Sequence, residues 1–294
     1  MSNLVEIKKR IASISSTIKV TKVMQMIATA KIAKIKQMMA SAVKYSDVAD
    51  QVISSYVRYS QYQYEMQRFF QKNGACKVSS ILIILISSDK GMCGGINANV
   101  FKEFKQVCQK NLNDNVKVAV CAVGKKARIF LEGYRKTHEI EVFSDIFPDA
   151  ESCDSMVVDR ILHTCVEMFA QSKIDKVYFL YHKFKNIITS NVVCEQMLPI
   201  DAAGIKVEDD GFVNIEESEE TPIGMVEFFI RNRFYSAYIS NLLSIVSSRM
   251  NAMDNATKNG QAIIDELRIK YNKGRQASIT SELSDIVSGF ESIS

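Results

Sequence analysis

The sequence has very little proline and, at one end, no glycine. The 294-residue chain contains three prolines and no tryptophan. Neither proline nor glycine occurs before Gly74, and no proline follows Pro222. These two residue types are the ones that most often interrupt a helix. Their absence before Gly74, and the absence of proline with only scattered glycine after Pro222, permit a long continuous helix at each end of the chain.

Several other features are missing, and each absence excludes a class of protein. The seven cysteines are widely spaced without a C-x-x-C pair, which favours buried thiols in a reducing compartment over a disulfide framework or a zinc site. The three histidines lack partners at metal or triad spacing, so we expect structural roles for His138, His163 and His182. Apolar runs are too short to span a membrane, and the N-terminus is not a signal peptide. We therefore predict neither a metal site nor a cofactor.

Both ends of the chain carry a heptad pattern, in which apolar residues recur in alternating steps of three and four. The N-terminal seam consists of Leu4, Ile7, Ile11, Ile14, Ile18 and Thr21. The C-terminal seam consists of Met250, Met253, Thr257, Gly260, Ile264, Leu267 and Tyr271. After Met24 the apolar stripe drifts off the repeat, which predicts a relaxed supercoil there. The stripe then passes through Ile27, Ile32, Ile35, Met38, Met39, Ala42 and Tyr45. Two such helices predict an antiparallel coiled coil.

The middle of the chain alternates short apolar runs with helical segments in the order βαβαβαββ. We predict strands at 78–87, 116–123, 139–143, 176–182 and 187–200, and a first helix capped by Asn97 or Asn99 and extending to Val107. Further helices are expected at 124–133 and 152–172. This order predicts an open, mostly parallel α/β (Rossmann-like) domain. The chain then divides into an N-terminal coiled-coil helix (1–75), the α/β domain (76–205), an acidic connector (206–222) and a C-terminal coiled-coil helix (223–294).

Charge is distributed unevenly along the chain. Nine basic residues and no acidic residue lie between Ile7 and Ser46, namely Lys8, Lys9, Arg10, Lys19, Lys22, Lys31, Lys34, Lys36 and Lys44. Such a run on a helix indicates an anionic neighbour. Because no aromatic residue that could stack on a base lies between Ile7 and Lys44, specific nucleic-acid binding is not expected. The segment 207–220 is acidic without a single base.

The best candidate for a chemical site is the glycine-rich turn from Asp89 to Gly95, which follows the first strand. Such a turn can hold a phosphate at a helix N-terminus, but neither a P-loop nor a G-x-G-x-x-G motif is present. Ser87 and Ser88 lie beside Cys93 without a visible base, so no catalytic residue is predicted. A nucleotide-binding α/β protein with coiled-coil arms remains the alternative interpretation.

Four segments resemble the gamma subunit of F-type ATP synthases, in its bacterial form. They are IKVTKVMQMIA from Ile18, SSDKGMCGGIN from Ser87, SRMNAMDNAT from Ser248 and YNKGRQASITSEL from Tyr271. They follow the family's order and extend over the whole chain. The resemblance implies a non-catalytic central rotor shaft of a proton-translocating complex. Its coiled coil would lie inside a ring of alpha and beta subunits, and its α/β domain would lie against the epsilon subunit and the c-ring. It would be peripheral to the cytoplasmic face of the inner membrane.

The resemblance also implies roles for single residues. Positions that match the family's contacts with a loop of the beta subunit are Arg249, Gln276 and Thr280. Positions that match the part of the N-terminal helix facing an acidic region of beta are Lys22 and Met24. Positions that match the apolar tip held in a sleeve of the ring are Leu283, Ile286, Val287 and Phe290. One departure is Ile245, which stands where the family often has a glutamate four residues before the arginine.

Overall fold

The computed structural model describes residues 2–60, 69–70, 78–143, 155–201 and 221–291. Within these ranges the elements are, in order, α1 Ser2–Ser60, β1 Ser80–Ile86, α2 Ile96–Asn113, β2 Lys117–Val123, α3 Lys125–Tyr134, β3 Glu141–Phe143, α4 Ser155–Ala170, β4 Lys176–Phe184, β5 Ser190–Leu198 and α5 Thr221–Glu291. The chain forms two compact units. We call residues 1–30 with 249–294 the coiled-coil unit, and residues 31–248 the α/β unit.

The coiled-coil unit pairs the two ends of the chain in an antiparallel arrangement, as the heptad pattern predicted. Ile18 packs at Gly260 and Leu4 packs at Gly274, so the two helices run in opposite directions. Residues of the C-terminal seam are buried or half-buried in steps of three and four, at Met253, Thr257, Gly260, Ile264, Leu267, Tyr271, Gly274 and Ser278. The predicted N-terminal seam is likewise the least exposed face of its helix.

Two polar pairs lie within this seam. The hydroxyls of Thr21 and Thr257 are hydrogen-bonded at 2.8 Å. One turn further along α1, the amide Nε2 of Gln25 donates to the Asp254 carboxylate at 3.0 Å. Since an apolar seam alone allows neighbouring registers, paired polar groups of this kind help to fix one of them.

The predicted drift of the stripe after Met24 is wrong. The less exposed positions of α1 continue in steps of three and four, at Gln25, Ala28, Ile32, Ile35, Met39, Ala42, Ser46 and Ala49. Ile27 and Tyr45, which the prediction placed on the stripe, are 55% and 64% exposed. Ile32, Ile35, Met39 and Ala42 of the predicted stripe do lie on this repeat, but its other positions are small or polar, so a count of large apolar side chains misses them.

The α/β unit contains a five-stranded sheet with the order β3-β2-β1-β4-β5. The central strand β1 pairs in parallel with β2 and β4, and β3 pairs in parallel with β2. Only the edge strand β5 is antiparallel, against β4. The predicted mostly parallel α/β fold is therefore confirmed. Continuous burial of Ile81 through Ile86 is typical of a parallel strand covered on both faces.

Helices cover both faces of this sheet. On one face, α2 and α3 contribute Phe104, Cys108, Ala127 and Leu131 to a core that also contains Leu180 of β4. Phe179 points to the opposite face, because neighbouring residues of a strand alternate. There its ring contacts Phe234 of α5 edge-on, with centroids 4.5 Å apart. From Ala237 to Ser247 every residue of α5 is buried, which indicates a helix enclosed by the unit on all sides.

Some predicted boundaries need correction. We expected an N-terminal helix within residues 1–75; the described helix ends at Ser60, and Phe69 and Phe70 are not helical. Neither Asn97 nor Asn99 caps α2, which starts at Ile96 with Gly95 as N-cap and extends past Val107 to Asn113. Residues 206–220 of the acidic connector lie outside the described residues. The four domain bounds stay predictions.

Candidate functional site

The interior of the glycine-rich turn is filled by its own side chains. Asn97, in the first turn of α2, donates from Nδ2 to the Ser88 hydroxyl at 2.7 Å and to the Cys93 sulfur at 3.3 Å. Its carbonyl oxygen accepts from the Ser88 backbone N–H at 3.1 Å. A phosphate cradle needs free backbone N–H groups inside the turn. Here the Asn97 side chain accepts from the Ser88 N–H and fills the interior of the turn itself.

The neighbouring Ser87 also has a structural role. Its hydroxyl accepts a 2.7 Å hydrogen bond from the backbone N–H of Ala127, near the start of α3. Gly124 passes so close that an added Cβ would lie 2.5 Å from the Ser87 carbonyl oxygen, and its φ of +99° suits glycine alone. Ser87 and Ser88 therefore satisfy backbone and amide groups, and they do not form the nucleophile and base that a catalytic site requires.

On its outer side the turn packs against α5. The hydroxyl of Ser248 donates to the Cys93 carbonyl at 2.6 Å. Gly94 has a φ of +63°, and an added Cβ there would lie 3.2 Å from the Ser248 oxygen. Ile245, one turn earlier on α5, is 1% exposed and packs with Cys93 and Ile96. An apolar residue at this position fits a contact in which the turn docks on the helix.

A second polar contact of α5 was missed from the sequence. β4 extends beyond the last residue paired with β1, which leaves part of its backbone without a ladder partner. Three side chains of α5 supply the missing bonds: Asn241 accepts from the His182 N–H, Ser240 accepts from the Phe184 N–H, and Ser244 donates to the His182 carbonyl. The only sequence signal is the cluster of Ser and Asn within an apolar helix.

The three histidines lie apart. His182 is buried, and its Nε2 donates to the Ile96 carbonyl at 2.7 Å, which fixes the proton on that nitrogen. Burial lowers the pKa of His182, and the hydrogen bond to Ile96 opposes this in part. His138 is exposed and stacks on Tyr134, and His163 is exposed beside Glu167.

Four of the five cysteines described as free thiols are buried: Cys93, Cys108, Cys121 and Cys165. Burial raises the pKa of the Cys165 thiol to about 12 and that of Cys121 well above its ordinary range. Such thiols are poor nucleophiles. Cys76 and Cys153 lie outside the described residues. Among the residues described, no cluster of three or more His, Cys, Asp and Glu side chains is arranged to hold a metal.

The residues that the resemblance singles out do not form one site. All belong to the coiled-coil unit. Lys22 and Met24 follow Thr21, which is paired with Thr257, whereas Gln276 lies next to Gly274, where Leu4 packs. Arg249 and Gln276 are separated by roughly 40 Å of helix at about 1.5 Å per residue. The structure therefore places them in two belts at different heights along the coiled coil.

Within the belts, exposure differs between the residues. Lys22, Gln276 and Thr280 are exposed, and Met24 and Arg249 are half-buried. The Thr280 hydroxyl donates to the Gln276 carbonyl within α5, which leaves its oxygen able to accept a bond from outside. At the tip, Leu283, Ile286 and Val287 are each more than half exposed. The side chain of Phe290 lies outside the described part.

The surface of α1 away from the seam is both apolar and basic. Val20, Val23 and Ile27 are each more than half exposed and recur in steps of three and four. All nine basic residues of the N-terminal run are exposed. Exposed apolar stripes on a soluble helix indicate a surface that is covered in an assembly.

The whole chain matches known proteins. A family model described as ATP synthase matches residues 3–293. The chain is 31% identical to the ATP synthase gamma chain of Pelagibacter ubique, and the match covers 100% of both chains. It is 33% identical to the ATP synthase gamma chain of Clostridium kluyveri, over 99% of each.

This chain belongs to the ATP synthase gamma chain family.

Solved structures support the fold. A chain in a cryo-EM structure of the Euglena gracilis mitochondrial ATP synthase superposes with a TM-score of 0.67 and 18% identity, over 99% of this chain and 95% of that one. A chain in a cryo-EM structure of the central stalk and c-ring of the Tetrahymena thermophila mitochondrial ATP synthase gives a TM-score of 0.59 and 22% identity, over 81% of this chain and 99% of that one.

The family assignment confirms the main interpretation of the sequence. As a gamma chain, the protein is the central rotor shaft of an ATP synthase, and it is part of a larger complex. In the part of the chain that the structure describes, no helix has the length and apolar character of a membrane span. Which surfaces of this chain meet which subunits is a separate question.

Proposed function

We propose that the coiled-coil unit turns inside a ring of alpha and beta subunits and takes no part in the chemistry of ATP itself. The observation that carries this proposal is the two-sided character of α1. One face forms a buried seam with α5, and the other face exposes Val20, Val23 and Ile27 among lysines. A coiled coil that needed no further partner would expose a polar outer face.

The basic run supports an acidic partner. Lys19, Lys22 and Lys31 flank the exposed apolar stripe and face solvent. An acidic loop of the beta subunit would be attracted to this band while the apolar stripe limits its hydration. We assign Lys22 and Met24 to this contact, together with Arg249, which lies near the same height of the coiled coil. Gln276 and Thr280 form the second contact with beta.

The exposed C-terminal tip supports a third contact. Leu283, Ile286 and Val287 recur at spacings that bring them close on α5, and all of them are exposed. Burial of such side chains in an apolar sleeve would stabilise the assembly by about 1–2 kcal/mol each. A tip of this kind serves as a bearing because dispersion and burial do not depend on direction.

Rotation of this shaft would change the affinity of each beta subunit for nucleotide. The apolar and basic surface lies on α1, whereas Gln276, Thr280 and the apolar tip lie on α5 at other heights, so each beta subunit meets a different surface at a given angle. A partner shifts the equilibrium between two conformations of a beta subunit only if it interacts more favourably with one of them. An asymmetric shaft supplies such a difference to each beta subunit.

The α/β unit, in this proposal, joins the shaft to the rest of the rotor. We assign the epsilon subunit and the membrane c-ring as its neighbours, with the chain peripheral to the cytoplasmic face of the bacterial inner membrane. The filled glycine-rich turn argues against the alternative of a nucleotide-binding enzyme, since Asn97 occupies the space that a phosphate would need.

Co-expression with the alpha and beta subunits of the same organism tests the proposal. We expect one copy of this chain to co-elute with a large alpha–beta complex, whose ATPase activity depends on its presence. The isolated chain should have no ATPase activity. Separate elution of this chain from an active alpha–beta complex would contradict the shaft assignment. Activity of the purified chain alone would contradict its non-catalytic role.

A further inference from the structure

A polar cavity of about 290 Å³ lies in the α/β unit, where α2, α5 and the β4–β5 hairpin meet. It is lined by the backbone start of α2 at Gly95 and Ile96, by Asn99, by His182 and by Ser244, Ser247 and Ser248 of α5. The hairpin residues 186–191 complete it. None of the rotor–stator residues proposed above contributes to this cavity.

The start of α2 gives one end of the cavity a positive character. α2 has 18 residues, and its N-cap Gly95 makes no side-chain capping bond. The first backbone N–H groups of a helix have no partner within it, and the helix dipole adds partial positive charge there. Its first turn contains no acidic residue. Among the described residues that line the cavity, none carries a carboxylate.

Ser247 is the second, independent observation. Its residue is 2% exposed, and its Oγ is the one buried side-chain oxygen or nitrogen in the described part of the chain that lacks a hydrogen-bond partner. Leaving a buried hydroxyl unpaired costs about 1–3 kcal/mol. Its neighbours Ser244 and Ser248 on the same wall both donate to backbone carbonyls. Ser247 alone remains for a molecule within the cavity.

We propose that this cavity binds a small oxyanion of the size of inorganic phosphate. The donors that line it are the backbone at the start of α2, the Asn99 amide and the Ser247 hydroxyl. The volume lies at the lower limit of small-molecule sites, which suits one phosphate group and not a nucleotide. The inference goes beyond the role of the chain as a shaft and does not depend on it.

The three histidines make a direct test possible. His182 lines the cavity, whereas His138 and His163 are exposed elsewhere. The full-length chain, labelled at its histidines, would be titrated with inorganic phosphate at pH 8 and followed by NMR. We expect a saturable shift of the His182 ring signals with little change in the other two. Potassium chloride at the same ionic strength should not reproduce it.

Matched variants identify the donors. Asn99→Asp places a carboxylate in the cavity and should abolish the saturable shift. Asn113→Asp adds the same charge at the opposite end of the same helix and should leave it intact. Ser247→Ala should weaken phosphate binding by about 3- to 10-fold, which corresponds to one hydrogen bond. Without ligand this variant should be at least as stable as the parent chain, because it removes a buried unpaired hydroxyl.

Three outcomes would overturn the proposal. His182 would not respond to phosphate, or chloride would shift it equally, or the Asn99→Asp chain would bind as well as the parent. A response to ADP at concentrations where phosphate has no effect would also overturn it, in favour of a nucleotide site.

Discussion

The hydroxyl of Ser248 on α5 donates a 2.6 Å hydrogen bond to the carbonyl of Cys93 in the glycine-rich turn. The two residues are 155 positions apart in the sequence. One turn earlier on α5, Ile245 is buried against Cys93 and Ile96. Together these contacts dock the turn on the long C-terminal helix immediately before Arg249, the first residue of α5 that belongs to the coiled-coil unit.

Replacement of Ile245 tests this docking contact. Ile245→Glu would place a carboxylate in a position that is 1% exposed, with a sulfur and apolar carbon around it. We expect a loss of at least about 3 kcal/mol in the free energy of unfolding, since an unpaired buried charge is among the most costly changes. Ile245→Val, the control, should cost about 1 kcal/mol. Denaturant unfolding followed by far-UV circular dichroism measures both, and equal stability of the two variants would contradict the packing.

Sequence reasoning located the seams well because each seam obeys a simple period. The seam residues from Met253 to Tyr271 are buried or half-buried as predicted, and the antiparallel pairing follows from two compatible seams on one chain. The same reasoning failed in part after Met24, where the small residues Ala28, Ser46 and Ala49 continue the repeat. Small buried residues give little hydropathy contrast, so their positions become clear only from the structure.

The polar contacts could not have been predicted from the sequence. Asn97 looked like a helix cap, but it bonds back into the turn, to Ser88 and Cys93. Asn241 completes the exposed backbone of β4, a role that depends on where β1 ends. Both roles depend on residues brought together by the fold, and no local spacing encodes them. The resemblance identified residues such as Arg249 and Gln276, but only the structure shows that they lie in two belts at different heights of the coiled coil.

Two glycines in the seam should respond differently to alanine. An added Cβ at Gly260 would lie 2.8 Å from Cγ1 of Ile18. This atom is bonded to the Ile18 Cβ and stays close to the backbone, so it has little freedom to move away. At Gly274 the nearest atom is the terminal Cδ2 of Leu4, at 3.0 Å, which can rotate away. Alanine favours a helix by about 1 kcal/mol over glycine. We therefore expect Gly274→Ala to be neutral or stabilising, and Gly260→Ala to cost about 1–3 kcal/mol through overpacking.

A second substitution checks the cause of the Gly260 effect. Ile18→Ala removes the atom that clashes, so the double variant should be more stable than the sum of the two single changes. Thermal unfolding of the four chains forms the cycle. Strict additivity would mean that Gly260 and Ile18 are not in contact.

Stability should fall in mildly acidic solution because of His182. Burial lowers its pKa below the ordinary value of 6.5, so the folded chain holds it neutral while the unfolded chain binds a proton. The free energy of unfolding that neutral His182 contributes is fully present above pH 6.5. It is lost as the pH falls below that value, by up to about 1.4 kcal/mol per pH unit. His182→Gln, which keeps a donor for Ile96, should show a flatter profile between pH 7.5 and 5.5. His138→Gln, at an exposed position, should keep the parent's slope, and identical slopes for all three chains would contradict the prediction.

Removal of the tip should weaken the assembled complex without unfolding the chain. A chain that ends at Ser281 lacks Leu283, Ile286 and Val287, which are exposed and make no core contact in their own chain. We expect its thermal unfolding to match that of the parent, since little buried surface is lost. Its co-elution with alpha and beta subunits and the coupled ATP synthesis of the complex should both decrease.

Changing the three apolar residues to serine in the full-length chain separates burial from length. If the serine chain assembles normally while the truncated chain does not, the length of α5 matters and the apolar bearing is wrong.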